Sequence, residues 1–446
     1  MNTKIFKAYD IRGIYPEEIN EVVSFKIGAA FAVFIKKVSN KENPQVVVGR
    51  DNRKSSDILF NELSKGIISQ GVDVIDIGLS ATPVFYFAVA NYNYDGGINI
   101  TASHNPKQYN GFKLVREDAI PLSEVSGIEE IKEMVIADNF SVIEKEGKII
   151  NKDVSSDYIV INKEKEDFNL KIVVDTANSV SGVIVPEIFN QTNLIHIFSE
   201  LDGDFPNHEP DPLKKENIEE IRNKVVEEGA DLGVAFDGDG DRVFFIDEKG
   251  EIISSDIILS LISSIIIRES KGSKILYDLR CSNIVRETIE SLGGEAIISR
   301  VGHSFIKALM REKGIIFGAE YSGHYYSKQG NGYYESPYFV IFTILKEIKK
   351  TGKKLSELIE SFKKYYHSGE INFKVEDKEK IINKIKEKYS DGKLLTIDGV
   401  RVDFEDWWFS VRSSNTEPIL RLIVEGRTRE IMEEKLKEIK DIIEED

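Results

Sequence analysis

The sequence predicts an α/β protein: three similar α/β domains with mixed, mostly parallel sheets, then a smaller C-terminal α+β domain, arranged around a central cleft. Three observations lead there. At 446 residues the chain is too long for one hydrophobic core and corresponds to about three or four domains of ordinary size. A β-α-β-α-β pattern recurs three times, and after Phe362 that pattern gives way to a different one. The expected boundaries are 1–150, 151–253, 254–365 and 366–446.

In the first copy, Gln45-Val-Val-Val-Gly49 reads as a buried strand and Ser56 to Gln70 as an amphipathic helix. A strand from Val72 to Ile77, a helix and a strand from Gly97 to Ile100 complete it. The second copy runs through the strand Lys171 to Asp175, a helix to Asn190, the strand Leu194 to Phe198, the helix Ile218 to Glu228 and the strand Leu232 to Phe236. The third runs through the strand Lys274 to Asp278, a helix to Leu292, the strand Glu295 to Ser299, a helix to Glu312 and the strand Ile315 to Phe317. Short apolar strands alternating with helices imply helix-covered, parallel-rich sheets. The closing part reads as a helix at Lys378 to Lys388, strands near Leu394 to Thr396, Val400 to Phe404, Trp407 to Val411 and Ile419 to Glu425, and a helix from Arg429 to Glu444.

The third strand of each copy leads straight into a dense polar loop: Thr101-Ala-Ser-His-Asn-Pro106, Asp237-Gly-Asp-Gly-Asp-Arg242 and Glu320-Tyr-Ser-Gly-His324. Ligands in open α/β sheets bind beyond the carboxyl ends of strands, so equivalent loops can converge on one cleft.

Composition restricts the partners. Hydrophobic residues make up 41% and charged residues 30%, the profile of a globular protein. A net charge of −17 with no run of five or more basic residues opposes nucleic acid and anionic membrane surfaces. The lone Cys281 excludes an intrachain disulfide and favours a reducing compartment. Met1 to Lys7 lacks the apolar segment of a signal peptide. The apolar stretch Ile257 to Ile267 is too short to span a bilayer and reads as a buried helix. The expected location is the cytoplasm.

Among the loops, Asp237, Asp239 and Asp241 are the sharpest feature. Carboxylates at i, i+2 and i+4 repel one another unless a cation sits between them. An all-oxygen set suits a hard ion, Mg²⁺ before Ca²⁺ or Mn²⁺. An EF-hand loop is disfavoured, although Glu248 falls at its twelfth position, because Arg242 stands where that loop needs glycine. A solvated acidic turn is the plain alternative. Arg242 reads either as a surface ion-pair partner or as a second cation for a transferring phosphoryl group.

Ser103 is either a helix N-cap or a nucleophile at a strand end beside His104. Asn110-Gly111 is a hairpin signal that would fold Lys113 back toward Ser103 as a cation or proton-transfer group. Glu320, Ser322 and His324 either suit hydroxyl recognition or make up an ordinary polar turn, and His303 reads as a proton carrier or a decoration of a helix start. Arg412 with Ser413, Ser414, Asn415 and Thr416 forms either a β-turn or a phosphate grip, since a guanidinium matches phosphate oxygens bidentately.

These loops, from Tyr9-Asp-Ile-Arg-Gly13 to Arg412-Ser-Ser-Asn-Thr-Glu-Pro418, together resemble the α-D-phosphohexomutase family, most closely its phosphomannomutase/phosphoglucomutase branch. The resemblance spans almost the whole chain. It implies a heart-shaped protein with three similar α/β domains and a smaller, mobile fourth. It also implies a phosphoserine at Ser103, with His104, Lys113, Arg242, Arg12 and His303 as catalytic neighbours. One Mg²⁺ per chain would be held by Asp237, Asp239, Asp241 and the Ser103 phosphate. Tyr9, Arg280, Glu320, Ser322 and His324 would meet the sugar, and Arg412, Ser414, Asn415 and Thr416 the non-transferring phosphate.

The implied reaction is isomerisation of a hexose phosphate, glucose or mannose, through a hexose 1,6-bisphosphate. Phosphoglucosamine mutase and a Mg²⁺-dependent sugar phosphatase are the alternatives. A catalytically idle sensor would lack the nucleophile or the carboxylates, and both are present here. The implied partner is a small phosphosugar, with no nucleic acid or membrane, and the oligomeric state stays open. Three departures from the family pattern bear on sugar specificity: Ala319 in place of glycine, Arg280 in place of lysine, and Tyr333-Tyr-Glu-Ser336 in place of an acidic Asp-Asp-Gly run.

Overall fold

Gln45–Arg50 forms the strand that its β-branched residues favour, with Val46, Val47 and Val48 fully buried, as expected for a central strand covered on both faces. It pairs in parallel with Asp73–Leu79 on one side and Gly96–Ile100 on the other. The sheet continues antiparallel through Tyr109–Arg116 to Ile11–Ile14, and in parallel to Ile149–Asn151 at its far edge. The computed structural model describes residues 2–141, 143–413 and 419–444. Two compact units make up the chain, Met1–Ile253 with Ser322–Glu357, and Ser254–Tyr321 with Leu358–Asp446.

On the first sheet lie the helices Glu21–Ser39 and Ser56–Ile68. Asn20 caps the former by accepting from the Val23 amide, and Asn40 closes it in the left-handed region. The two helices touch backbone to backbone. A Cβ on Gly28 would stand 2.1 Å from the Leu63 carbonyl oxygen, and one on Gly66 2.0 Å from that of Phe25. Phe31, Ile35, Leu63 and Ile67 fill the core around this crossing.

The second sheet runs Ile252–Ile253, Val243–Ile246, Leu232–Phe236, Lys171–Asp175, Asn193–Ile197. Its central pairs are parallel, and the Leu232–Phe236 to Val243–Ile246 hairpin is antiparallel. The expected helix to Asn190 is instead a 3₁₀ turn, Val180–Val183, and one α turn, Val185–Ile188, with Pro186 in its first turn, where a missing N–H costs nothing. The hairpin Tyr325–Gln329 and Gly332–Glu335 belongs to the first unit, with Tyr334 beside Tyr86 at 6.2 Å between ring centroids.

In the second unit Glu295–Ser299, Lys274–Asp278 and Phe317–Ala319 pair in parallel. The last of these begins two residues later than the sequence suggests. Gly314 closes the helix His303–Lys313 at φ 63°, and the Ile315 amide still donates back to the Met310 carbonyl, so pairing cannot start there. Ser255–Glu269 is the buried helix expected from its apolar run.

The C-terminal sheet is antiparallel throughout, in the order Tyr366–His367, Ile419–Gly426, Trp407–Ser413, Val400–Asp403, Lys393–Leu395, with Ile371–Lys374 also on Ile419–Gly426. The helices Lys378–Lys388 and Arg429–Glu444 cover it through Ile381, Ile385, Ile439 and Ile442. Buried polar contacts join this sheet to its neighbour. Arg401 donates to the Leu279 carbonyl at 2.7 Å and to Asn283 Oδ1 at 2.8 Å, and its guanidinium stacks on Trp408.

The glycine crossing generates a test. Gly66→Ala should destabilise the protein by about 1–3 kcal/mol, the range for overpacking a tight core, and more if the helices cannot part. Urea unfolding should show a lower midpoint at unchanged slope; an unchanged midpoint would mean that the helix pair is not held at this separation.

Candidate active site

Ser103 sits in the turn between Gly96–Ile100 and Tyr109–Arg116, and no helix follows it. That removes the N-cap reading. Its backbone is left-handed, at φ 51°, an unusual conformation for serine. The Ser103 amide donates to Thr101 Oγ1 at 2.9 Å. The hydroxyl donates to Asp237 Oδ2 at 2.8 Å and lies 3.1 Å from His104 Nδ1.

Arg53 holds this loop, and the sequence reading missed it. Its guanidinium is buried and donates to the carbonyls of Ser103 (2.8 Å), Asn105 (2.7 Å), Pro106 (2.8 Å) and Tyr109 (3.1 Å). Asp51 is its carboxylate partner at 3.1 Å. Burial lowers the Arg53 pKa, and Asp51 counters it. The available signal was the Asp51-x-Arg53 pair, which follows the first central strand as the other polar loops follow theirs.

Asn110-Gly111 is not the hairpin turn. Both residues lie inside Tyr109–Arg116, with Gly111 opposite Arg12, and the chain reverses at residues 101–108. Glycine is needed there because a Cβ would stand 2.3 Å from the Ile11 carbonyl oxygen. Asn110 donates to Ser55 Oγ and Ser56 Oγ. Antiparallel pairing nevertheless brings Lys113 round, opposite Asn99, into the acidic cluster.

Asp237, Asp239 and Asp241 follow Leu232–Phe236, and one carboxylate oxygen of each lies within 4.8 Å of the others. All three are buried. Lys113 Nζ donates to Asp239 Oδ2 at 2.6 Å and also to Asp241 Oδ2. Thr82 Oγ1 donates to Asp239 Oδ2 at 2.5 Å. Burial raises the Asp237 pKa well above the usual carboxylate range, with Asp239 and Asp241 adding to it. Burial would lower that of Lys113, but Asp239 and Asp241 outweigh it, and the ammonium stays charged. Burial, then Arg242 and Arg12, hold His104 well below its ordinary value.

The cluster fits a divalent cation. Asp239 Oδ1 and Asp241 Oδ1 are buried and accept no hydrogen bond among the described residues, and an all-oxygen donor set suits Mg²⁺. Glu248 lies elsewhere, accepting from Ser356 Oγ at 2.6 Å, and strands flank the loop, so the EF-hand reading is excluded.

Arg242 donates through its amide to Asp237 Oδ1 at 3.1 Å and through Nε to His324 Nε2 at 3.0 Å. An arginine cannot accept, so His324 carries its proton on Nδ1. That nitrogen faces Asp241 Oδ1 at 3.5 Å and Glu335 Oε1 at 3.7 Å. The Tyr333–Ser336 stretch thus supplies one buried carboxylate, Glu335. Arg12 donates to Asn105 Oδ1 at 2.7 Å and to Asp10 Oδ2 at 2.7 Å. Tyr9 is half-buried just before its strand, and Ser322 is buried.

In the second unit Arg280 makes a fork to Asp278, with Nη2 at 2.8 Å from Oδ2. Burial would lower its pKa, but Asp278 outweighs that and holds it well above the ordinary value. Its other approaches are to Glu320 at 3.9 Å and Glu370 at 4.0 Å. Glu320 Oε1 accepts from the Gly302 amide at 2.8 Å, and His303 heads the helix His303–Lys313. Arg412 donates to Glu370 Oε2 at 2.6 Å. Ser414, Asn415 and Thr416 lie outside the described residues.

The comparisons with known proteins identify the family. Residues 3–141, 151–250 and 254–365 match the phosphoglucomutase/phosphomannomutase alpha/beta/alpha domains I, II and III, and residues 370–442 match the C-terminal domain of the same family. The chain is 42% identical to a phosphomannomutase of Methanocaldococcus jannaschii over 98% of its own length and 97% of that protein's. It is 37% identical to a phosphomannomutase of Escherichia coli, over 95% and 94%. A crystal structure of a phosphoglucomutase/phosphomannomutase family protein from Burkholderia thailandensis superposes with a TM-score of 0.89 at 32% identity, covering 99% of this chain and 97% of that one. Fold and sequence thus define an α/β isomerase of the phosphohexomutase class. The chain belongs to the phosphoglucomutase/phosphomannomutase family.

The cation site can be tested apart from turnover. Mg²⁺ should stabilise the wild type by RT ln(1 + [L]/Kd) and so raise its melting temperature as its concentration passes the dissociation constant. Asp239→Asn should melt near the metal-free wild type and show little further response. An equal Mg²⁺-induced rise in both proteins would remove Asp239 from the metal site.

Proposed function

We propose that this enzyme interconverts the 1- and 6-phosphates of glucose and mannose through a phosphoserine at Ser103 and a hexose 1,6-bisphosphate. The observation that carries this reading is the Ser103 hydroxyl, 2.8 Å from Asp237 Oδ2 in a cluster that also receives Lys113. The family supplies the class of reaction, and the residues supply its chemistry.

The phosphorylated Ser103 gives its phosphoryl group to the free hydroxyl of a bound hexose phosphate. The serine oxygen leaves with the electrons of its P–O bond, and the sugar hydroxyl loses its proton. The bisphosphate then presents its other phosphoryl group to Ser103, which takes it back and regenerates the starting enzyme. Lys113 and Arg242 place positive charge beside Ser103, where negative charge is spread over the transferring oxygens. Arg53 fixes the loop carbonyls, and with them the direction of the Ser103 side chain. A Mg²⁺ held by Asp237, Asp239, Asp241 and the Ser103 phosphate would supply Lewis-acid stabilisation of the same charge.

Glu320 and Ser322 are the proposed contacts to sugar hydroxyls common to glucose and mannose, with His303 as a proton-transfer group. Arg412 is the proposed grip on the phosphate that is not being transferred.

Two measurements test the reading. Intact-mass spectrometry should find one phosphate on part of the wild type, mapped to Ser103, and Ser103→Ala should be unphosphorylated and inactive. An active Ser103→Ala enzyme would refute the mechanism, and phosphate release outpacing isomerisation would indicate a phosphatase.

Side by side, glucose 1-phosphate and mannose 1-phosphate should give kcat/KM values within about tenfold, a gap of ~1.4 kcal/mol, and an N-acetylated C2 should fare much worse. Glu320→Ala should lower both hexose activities by a similar factor, because the contacts it loses are shared. If mannose 1-phosphate turnover survives while glucose 1-phosphate turnover is lost, the shared-hydroxyl account is wrong.

A further inference from the structure

Arg412 and Arg421 stand directly opposite each other on neighbouring antiparallel strands. Like charges in that position repel and destabilise the pair. One carboxylate resolves the conflict. Glu370 accepts from Arg412 on Oε2 at 2.6 Å and from Arg421 on Oε1 at 2.9 Å, so each of its oxygens takes one guanidinium. Arg280 adds a third, with Nη1 4.0 Å from Oε2. Burial would raise the Glu370 pKa, but Arg412, Arg280 and Arg421 outweigh it and hold the carboxyl below its ordinary range.

The backbone that delivers Glu370 is anchored just as closely. Gly369 is left-handed, at φ 71°, and its amide donates to His367 Nδ1 at 3.0 Å. With Nδ1 accepting, His367 Nε2 carries the proton and donates to the Arg280 carbonyl at 3.0 Å. One histidine tautomer therefore ties the backbone of Arg280 to the residue before Glu370. Immediately after Glu370 the chain enters Ile371–Lys374, where Asn372 pairs with Arg421 itself. Meanwhile Arg412, 4% exposed, keeps a buried Nε with no acceptor among the described residues.

We propose that Glu370 is a positioning residue for the phosphate grip, a fixed internal anion that holds Arg412 and Arg421 side by side so that a phosphomonoester meets them already aligned. The proposal rests on the reading that Arg412 binds the non-transferring phosphate. Glu370 touches no reacting atom and acts through the two arginines. Without its charge the opposed guanidinium groups separate, and ordering them again is charged against substrate binding. The loss therefore falls on KM and leaves the chemical step at Ser103 alone.

The test uses the full-length enzyme with Mg²⁺ and a glucose 1,6-bisphosphate activator, with glucose 1-phosphate as the probe. Glu370→Gln, nearly isosteric and uncharged, should raise KM by about tenfold while kcat stays within about twofold, the signature of lost uniform binding. Glu370→Asp keeps the charge and should recover most of the affinity. It also serves where the glutamine variant folds poorly, and Glu370→Gln should then fall well behind Glu370→Asp in any soluble fraction. In an Arg412→Ala background, Glu370→Gln should add less than about twofold, because residues acting in one network are not additive.

Several results would overturn the proposal. If Arg412→Ala raises KM and Glu370→Gln does not, Glu370 has no part in the grip and the phosphate reading stands. If Glu370→Gln lowers KM, the carboxylate competes with substrate for the arginines. If Arg412→Ala itself leaves KM unchanged, the phosphate reading fails, and the role of Glu370 fails with it.

Discussion

Mutual repulsion among Asp237, Asp239 and Asp241 is the constraint around which the first unit is built. Three carboxylates buried this closely together are intolerable without compensation. The compensation is distributed. Lys113 arrives on an antiparallel strand, Thr82 at the start of a helix, Ser103 in a turn, and the Arg242 amide within the same loop. Each comes from a different element, so the sheet order and the reach of the hairpin are set by what must converge there. The same electrostatics that make the cluster costly to bury make it a ready receptor for a cation, since two of its buried oxygens accept no hydrogen bond among the described residues.

A second demand falls on the backbone. Ser103 occupies a left-handed conformation that serine adopts reluctantly. The carbonyls of its loop cannot pair in a sheet, because the chain is turning. Arg53 answers both problems with one side chain, taking three of those carbonyls, and that of Tyr109 at the start of the next strand, at 2.7–3.1 Å. A guanidinium suits this task, since its donors are rigid and fan out in one plane. The Ser103 side chain is thus oriented by a residue about fifty positions away in sequence that never touches its hydroxyl.

The second unit inverts the electrostatic theme. There the arginines are crowded, and carboxylates offset their mutual repulsion: Asp278 for Arg280, and Glu370 for Arg412 and Arg421. In a chain of net charge −17 an anionic substrate needs such a local concentration of positive charge, because the surface as a whole repels it. The two units thus differ in the charge they cluster, carboxylates in one and guanidinium groups in the other.

The sequence alone determined the class of fold, the repeated α/β pattern, the acidic triad and the serine loop. Strand periodicity, glycine placement and runs of like charge are local, and local signals survive in one dimension. It also carried the change of architecture after Phe362. It did not disclose that Asn110-Gly111 lies within a strand, because the hairpin signal is the same whether or not a neighbouring strand needs a glycine for close approach. It read a helix where the chain forms only a 3₁₀ turn and one α turn. Arg53, Glu335 and Glu370 were invisible, since nothing near them in sequence shows which carbonyls, imidazole or guanidinium groups they meet. Tertiary structure decided those roles. A buried charge is interpretable only from its partners, and these partners come from strands and loops far away in the chain.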